Sequence, residues 1–223
     1  MVSTRFTDRN GGVSQAPYSS FNLALHVGDD ADAVYENRKR LAQTVGPSAF
    51  MNQVHGNSVM VVDGISSGDP IADALVTAES GIALVVLVAD CIPLLLWDES
   101  VGCIAAVHVG RRGLVNGITA KVLAVMGAMG ATDIHAQLGP SICGKCYEVG
   151  SEIYDEVSSV YPYARSRTSD GALALDLSGA LSRELIDIGI RVSRSDLCTV
   201  EDAKYFSYRR DGITGRQAGV IWL

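Results

Sequence analysis

The chain is short of positive charge and of long uninterrupted apolar runs. Its 18 Lys and Arg residues are outnumbered by 25 Asp and Glu residues, which gives a net charge of −7. Because a phosphate backbone attracts a basic surface, this balance argues against a nucleic-acid partner. The longest apolar stretch is interrupted by Asp90 and Pro93 before it reaches the roughly 20 residues that a membrane helix needs. No membrane partner is therefore expected.

The N-terminal segment is not expected to be a secretory signal. Its sequence, MVSTRFTDRNGG, is polar and rich in turn-forming residues, whereas a signal peptide needs an apolar segment after a basic start. The predicted location is therefore the cytoplasm. The chain has 5 cysteines, an odd number, and a reducing compartment keeps cysteines as thiols unless a metal binds some of them.

Length and apolar content predict one globular domain over residues 1–223. With 48% hydrophobic residues, the chain can bury a sizeable core. Helices and strands alternate without a steady βαβ period, so we expect a single α/β (α+β) domain with mixed sheets. The predicted helices cover about residues 30–44, 113–129, 151–160 and 178–188, and the predicted terminal strands are RVSRSDLC, KYFSY and GVIWL.

Two apolar runs, residues 81–97 and 101–109, each contain one chemically active side chain, Cys91 and His108. A turn-like Asp-Glu-Ser cluster separates them, so the runs are predicted to pair as neighbouring strands that bring Cys91 and His108 to a common edge. His55 could add a third ligand, a ring nitrogen, to the Cys91 sulfur and the His108 nitrogen. Such a set suits zinc or copper and leaves a fourth coordination position open. The spacing alone favours a plainer interpretation, a core cysteine and a hydrogen-bonded structural histidine.

Ordered motifs along nearly the whole chain resemble the family of laccase-like polyphenol oxidoreductases, which includes purine nucleoside phosphorylases. They include NQVHGNSV, DALVT, ADCIPLLL, AAVHVGRRG, LGPSIC and YFSYRRDGITGRQAGVIWL. The resemblance implies a layered α/β sandwich, related in fold to bacterial toxin deamidases. It also implies that His55, Cys91 and His108 are both the metal ligands and the catalytic residues. Arg111 stands where this family usually has Trp, which removes an aromatic surface and adds a guanidinium.

The activity that the resemblance implies is phosphorolysis of purine nucleosides. Adenosine, inosine, guanosine or methylthioadenosine would be cleaved to the base and ribose 1-phosphate, with phosphate as co-substrate and zinc, or else copper, as the metal. This chemistry needs an anion site and polar groups for base and sugar. The expected substrate-binding residues are three arginines and three other polar residues: Arg5, Arg112, Arg209, Asn22, Gln53 and Asp90.

Three other activities stay open at this point. A copper-dependent polyphenol oxidase needs a multicopper site, but 4 histidines are too few to build one within a single subunit. A cysteine hydrolase or deamidase would use Cys91 as nucleophile and His108 as base, and a bound metal would block it. Adenosine deamination is a possible side activity, although zinc deaminases use a Glu near the metal and here only Asp90 adjoins a ligand.

The C-x-x-C pair formed by Cys143 and Cys146 invites a metal or redox interpretation. Because a single pair without a second one is a weak signal, the sequence favours two free thiols.

Overall fold

The computed structural model of the chain describes residues 1–65 and 68–223. The strands are β1 (Ser3–Phe6), β2 (Ser48–Ala49), β3 (Val59–Val61), β4 (Ala74–Thr77), β5 (Ala83–Val88), β6 (Ile92–Asp98), β7 (Cys103–Val109), β8 (His135–Leu138), β9 (Arg165–Arg167), β10 (Leu173–Leu175), β11 (Arg191–Arg194) and β12 (Gln217–Trp222). The α-helices are α1 (Ala31–Val45), α2 (Arg111–Val115), α3 (Ile118–Ala128), α4 (Ser151–Val160), α5 (Leu177–Asp187) and α6 (Tyr208–Asp211).

The strands form two large mixed sheets and a small hairpin. The order in the four-stranded sheet is β1-β12-β5-β2, the order in the six-stranded sheet is β11-β8-β6-β7-β4-β3, and β9 pairs with β10. Parallel pairs such as β3 with β4 coexist with antiparallel pairs such as β6 with β7. The expected α/β architecture with mixed sheets is confirmed.

The alternation of side chains along each central strand explains why these strands are apolar throughout. On β6, Leu95 faces the core between the two large sheets, whereas Leu94 and Leu96 face the core shared with α3 and α5. On β5, Val86 faces the inter-sheet core and Val85 faces the core beside α1. Strands that are buried on both faces need apolar residues at every position, and the result is the predicted layered sandwich.

The predicted pairing of the two apolar runs is confirmed for β6 and β7, where Pro93 lies opposite His108. The first run, however, divides into two strands. β5 belongs to the four-stranded sheet, β6 belongs to the six-stranded sheet, and residues 89–91 connect them. Cys91 therefore lies in a crossover between the sheets, where its side chain can leave the apolar layers.

Two predicted elements differ in the structure. The helix predicted over 113–129 is divided because Gly117 has a φ of 71°, a left-handed conformation that glycine adopts readily. The strand predicted at KYFSY is wrong. Phe206 is buried, its N–H donates to the Gln217 side chain, and Ser207 then caps α6. Within the described residues, every helix is too short or too polar to cross a membrane.

Candidate active site

His108, near the end of β7, is held by Asp73, which directly precedes β4. Nδ1 of His108 lies 2.9 Å from Oδ1 of Asp73, and both side chains are buried. Because a carboxylate only accepts hydrogen bonds, this contact fixes the proton on Nδ1 and leaves Nε2 as the free ligand atom of the ring. A carboxylate that orients a histidine in this way is the usual outer partner of a metal-bound imidazole.

The same carboxylate shapes the loop that carries His55. Asp73 accepts the backbone N–H groups of His55 and Gly56 at 2.9 and 2.7 Å. His55 has a φ of 58°, a conformation that is uncommon for a residue with a side chain. Strained backbone of this kind persists where surrounding contacts enforce it, and it is frequent at functional sites. Asp73 therefore positions both histidines.

Cys91 completes the cluster from the crossover between the two sheets. Its Sγ lies 4.0 Å from Nε2 of His55, and the ligand atoms of His55, Cys91 and His108 all lie within 4.8 Å of one another. Gly110 makes this approach possible, since a Cβ there would lie 3.0 Å from Cδ2 of His55 and 3.2 Å from Sγ of Cys91.

The protonation states of Cys91 and His108 depend on each other. Burial by itself would raise the pKa of the Cys91 thiol, but the charge of His108 and hydrogen bonds from both histidines lower it to about 6. Burial by itself would lower the pKa of His108, but the Cys91 charge and the Asp73 hydrogen bond raise it to about 9. In the metal-free protein, the pair therefore favours a thiolate beside an imidazolium. A thiolate is the form of cysteine that binds metals, and a bound metal would take the place of the proton on Nε2 of His108.

The donor set fits a metal ion. Two imidazoles and one thiolate match catalytic zinc centres, in which three protein ligands leave a fourth position for water or substrate. The cluster opens onto a cavity of about 410 Å³. The other polar or aromatic residues that line this cavity are His26, Gln53, Asp90, Tyr147, Tyr208, Arg209 and Arg216.

Three of the six predicted substrate-binding residues lie at this cavity. The Gln53 amide is paired with the backbone N–H and carbonyl of Leu87 at 2.8 and 2.7 Å. The Asp90 carboxylate accepts hydrogen bonds from the Thr199 hydroxyl at 2.6 Å and from the backbone N–H of Arg209 at 2.7 Å. The Arg209 guanidinium donates to the Glu148 carbonyl and lies 5.2 Å from the ring centre of Tyr147.

The other three predicted residues lie away from the cavity wall formed by the described residues. Arg5 is exposed on β1, and Arg112 is exposed on α2. Asn22 is buried. Its side-chain amide donates a hydrogen bond to Asp29 and accepts hydrogen bonds from the backbone N–H groups of Ala24 and Arg216. Through the last of these bonds, Asn22 fixes the backbone of an arginine that does line the cavity.

Sequence reasoning missed Asp73, Tyr147 and Tyr208 as site residues. Asp73 stands in the DALVT motif, where a single acid before an apolar strand was the available signal. Tyr147 and Tyr208 reach the cavity from a loop and from α6, which no periodic pattern connects with the histidines. Burial and the Cys91 charge raise the pKa of Tyr147, so it remains a neutral donor at neutral pH.

Arg111 is engaged in an ion pair. Its Nη1 lies 2.7 Å from Oε2 of Glu156 on α4. It also lines a small cavity with Cys91 and Tyr147. Its guanidinium therefore lies beside the site with part of its charge already balanced.

A family model described as multi-copper polyphenol oxidoreductase laccase matches residues 3–223. The chain belongs to this laccase-like family. The resemblance inferred from the motifs is thereby confirmed, and the His55, Cys91 and His108 cluster is the candidate metal centre of this laccase-like protein.

Similar proteins carry more specific names than the family does. A Corynebacterium glutamicum protein named purine nucleoside phosphorylase is 49% identical over 98% of this chain and 93% of its own length. A Streptomyces griseus protein with the same enzyme name is 47% identical over the same shares.

Solved structures share the whole fold. A crystal structure of a Neisseria meningitidis protein is 39% identical, with a TM-score of 0.91 over 100% of this chain and 94% of that one. YlmD from Geobacillus stearothermophilus is 32% identical, with a TM-score of 0.90 over 99% and 91% of the two chains.

Proposed function

We propose that the protein is a purine nucleoside phosphorylase that cleaves adenosine, inosine, guanosine or methylthioadenosine with phosphate, at a zinc centre of His55, Cys91 and His108. The observation that carries the proposal is that this cluster lines the same cavity as Arg209 and Arg216. A phosphorylase needs an anion site next to the groups that act on the nucleoside. The names of the relatives at 49% and 47% identity support the same activity.

Arg216 is the stronger candidate for binding phosphate. Its Nη1 donates to the carbonyls of Thr214 and Gly215 at 2.9 and 3.0 Å, so the guanidinium is held in place before a ligand arrives. Burial lowers the pKa of Arg216, and an anion bound beside it would offset the cost of keeping this charge partly desolvated. Arg209 supplies a second cation at the same cavity.

The aromatic residues of the cavity suit a purine. Tyr147 and Tyr208 offer flat apolar faces with hydroxyl groups, and aromatic rings of this kind stack on bases. Burial and the charge of Arg216 lower the pKa of His26, which keeps this ring neutral at neutral pH and able both to donate and to accept a hydrogen bond.

In the reaction, a phosphate oxygen forms a bond to C1′ of the ribose while the bond from C1′ to the purine nitrogen breaks. The electron pair of the broken bond goes to the purine, which gains a proton in exchange for the one that hydrogenphosphate loses when it becomes ribose 1-phosphate. A bound zinc ion supplies Lewis-acid stabilisation of a ligand oxygen or nitrogen. The residues of the chain orient the reactants: the arginines hold the phosphate, the tyrosines hold the base, and Asp73 keeps His108 in place.

The experiment is to incubate zinc-loaded protein with each nucleoside, with and without phosphate, and to measure free base and ribose 1-phosphate. Phosphate-dependent release of both products in equal amounts is expected. Release of base without phosphate, or no release by a folded and metal-loaded sample, would contradict the proposal. Inosine and ammonia formed from adenosine would reveal the deaminase side activity, and elemental analysis separates zinc from copper.

The lowered pKa of Cys91, about 6, favours one second candidate, a cysteine hydrolase or deamidase in which His108 is the base. The two functions respond oppositely to metal removal. Chelation should abolish phosphorolysis, whereas it should release the thiolate for hydrolysis. Activity that increases on chelation and is lost in Cys91→Ala would identify the hydrolase.

A further inference from the structure

A second group of cysteines lies beside the active-site cavity but outside it. Cys143 and Cys146 come from the loop after β8, and Cys198 and Glu201 come from the segment after β11. Their three sulfur atoms and one carboxylate oxygen all lie within 4.8 Å of one another. Oε1 of Glu201 lies 3.4 Å from Sγ of Cys146 and 4.0 Å from Sγ of Cys143.

The backbone around these residues is built to bring the sulfur atoms together. The N–H groups of Cys146 and Tyr147 both donate to the carbonyl of Cys143, at 3.0 and 3.1 Å, and close a tight turn. The N–H of Cys143 donates to Sγ of Cys198 at 3.4 Å. The two segments are joined by the N–H of Thr199, which donates to the carbonyl of Ser141.

Gly144 shows that the turn is closely packed. A Cβ at this position would lie 2.7 Å from Cβ of Asp176 and 2.8 Å from Oγ of Ser166. Residue 144 therefore lies too near its neighbours for any side chain, and the turn that presents Cys143 and Cys146 is held against β9 and the start of α5.

Without a cation, the four groups repel one another when charged. Burial and Cys198 raise the pKa of the Cys143 thiol, and burial, Cys143 and Glu201 raise the pKa of the Cys146 thiol. A divalent ion reverses this balance, because it binds the deprotonated thiols and releases their protons.

We propose that Cys143, Cys146, Cys198 and Glu201 bind a second, structural zinc ion. A zinc tetrahedron with Zn–S bonds of about 2.3 Å has ligand atoms roughly 3.8 Å apart, so a small contraction of the observed cluster reaches this geometry. Four protein ligands fill the coordination shell, and a filled shell is the property that separates structural zinc from catalytic zinc.

The position of this second site gives it a role in shaping the cavity. Ile142, next to Cys143, donates its N–H to the carbonyl of Asp90, and Thr199, next to Cys198, donates its hydroxyl to the Asp90 carboxylate. Tyr147 follows Cys146 directly and lines the cavity. An ion that joins the two segments would therefore hold Asp90 and Tyr147 in place without contacting the substrate.

The test is metal content by elemental analysis of purified variants. Wild-type protein is expected to hold about two zinc ions per chain, and Cys146→Ser and Cys91→Ala about one each. Cys103→Ala changes a buried cysteine that belongs to neither cluster, so this control should keep both ions. Equal metal content in Cys146→Ser and wild-type protein would overturn the proposal, as would a disulfide between cluster cysteines in the native protein.

Cobalt substitution provides a readout that is independent of activity. The second site contributes three thiolates and the first site one, so most of the thiolate-to-cobalt charge-transfer absorption should be lost in Cys146→Ser and kept in Cys91→Ala. If Cys146→Ser does not fold, Glu201→Gln replaces an exposed side chain and should weaken the binding of the second ion by about tenfold. Unchanged affinity in Glu201→Gln and an unchanged cobalt spectrum in Cys146→Ser would both count against the site.

Discussion

The two sulfur clusters of this protein both adjoin Asp90, and they differ in the charges of the groups that surround each thiol. Cys91 faces two histidines, and the positive charge of His108 lowers the pKa of its thiol to about 6 against the opposing effect of burial. Cys143 and Cys146 face other thiols and Glu201, and both pKa values are raised. Cationic neighbours therefore favour the thiolate at Cys91, whereas burial and the neighbouring sulfur and carboxylate groups favour the protonated thiol at Cys143 and Cys146.

The clusters also differ in how open they are. The first has three candidate ligands and opens onto the cavity of about 410 Å³. The second has four candidate ligands, and a tightly packed turn holds two of them. An open coordination position permits chemistry, whereas a filled one supports the fold.

The largest effect is expected from removing the thiol of the open cluster. Cys91→Ala should lower phosphorolysis by roughly 10³-fold, the scale of losing a group that acts at the reacting centre. Thermal unfolding and circular dichroism should remain close to those of wild-type protein. Cys103→Ala serves as the control and should retain activity, and a similar loss in both variants would show that the effect comes from destabilisation.

Asp73→Asn should weaken metal binding by His55, Cys91 and His108 because Asp73 positions both histidines. The carboxylate accepts His108 Nδ1–H and three backbone N–H groups, and an amide of the same size turns one acceptor into a donor. Loss of such an outer partner lowers metal affinity or activity by roughly 10- to 100-fold, and the buried mismatch costs about 2 kcal/mol of unfolding free energy. Metal competition and denaturant titration measure the two effects. Unchanged metal affinity would show that Asp73 serves folding alone.

Gly110→Ala tests whether the close packing of residue 110 against His55 and Cys91 is needed for metal binding. The added methyl group would press on His55 and Cys91, and overpacking of 1–3 kcal/mol corresponds to a loss of metal affinity of roughly 5- to 150-fold. Gly127→Ala is the matched control, because open space surrounds Gly127 in α3. The control should stabilise the protein by about 0.5–1 kcal/mol. Equal metal affinity in both variants would contradict the close approach at Gly110.

A smaller effect, about tenfold, is expected in the alkylation of metal-free protein between pH 5 and 7. Because the pKa of Cys91 is lowered to about 6, its thiolate fraction rises across this range. The pKa values of Cys143 and Cys146 are raised, so they should react slowly until alkaline pH. Peptide mapping after iodoacetamide treatment identifies each cysteine. In urea, Cys91 should react no faster than Cys143 and Cys146. If Cys91 still reacts faster in urea, its reactivity does not come from the fold.

The sequence predicted the architecture better than the site. Unbroken apolar runs indicate strands that are buried on both faces, and β5, β6 and β7 follow this rule. Spacing alone did not connect His55 with Cys91 and His108, and the connection came from family motifs. The physical reason is that the three residues come from a loop, a crossover and a strand end, which only the tertiary fold brings together.

The pairing of distant loops was beyond sequence reasoning for the same reason. Cys143 and Cys146 looked like free thiols because the other two members of the cluster, Cys198 and Glu201, lie more than 50 residues away. Tyr147, Tyr208 and Arg216 enter the cavity from separate segments. A local pattern reports burial and turns, whereas it does not report which turns meet.

The most direct test of the proposed phosphorylase is the ratio of ribose 1-phosphate to free base produced by the zinc-loaded protein, measured with each purine nucleoside as phosphate is varied. We expect a ratio of about one and a rate of base release that saturates with phosphate. In Arg216→Met, saturation should require higher phosphate concentrations because this residue binds the anion. Base released at the same rate without phosphate, or no base released by folded protein with its metal bound, would contradict the proposed activity.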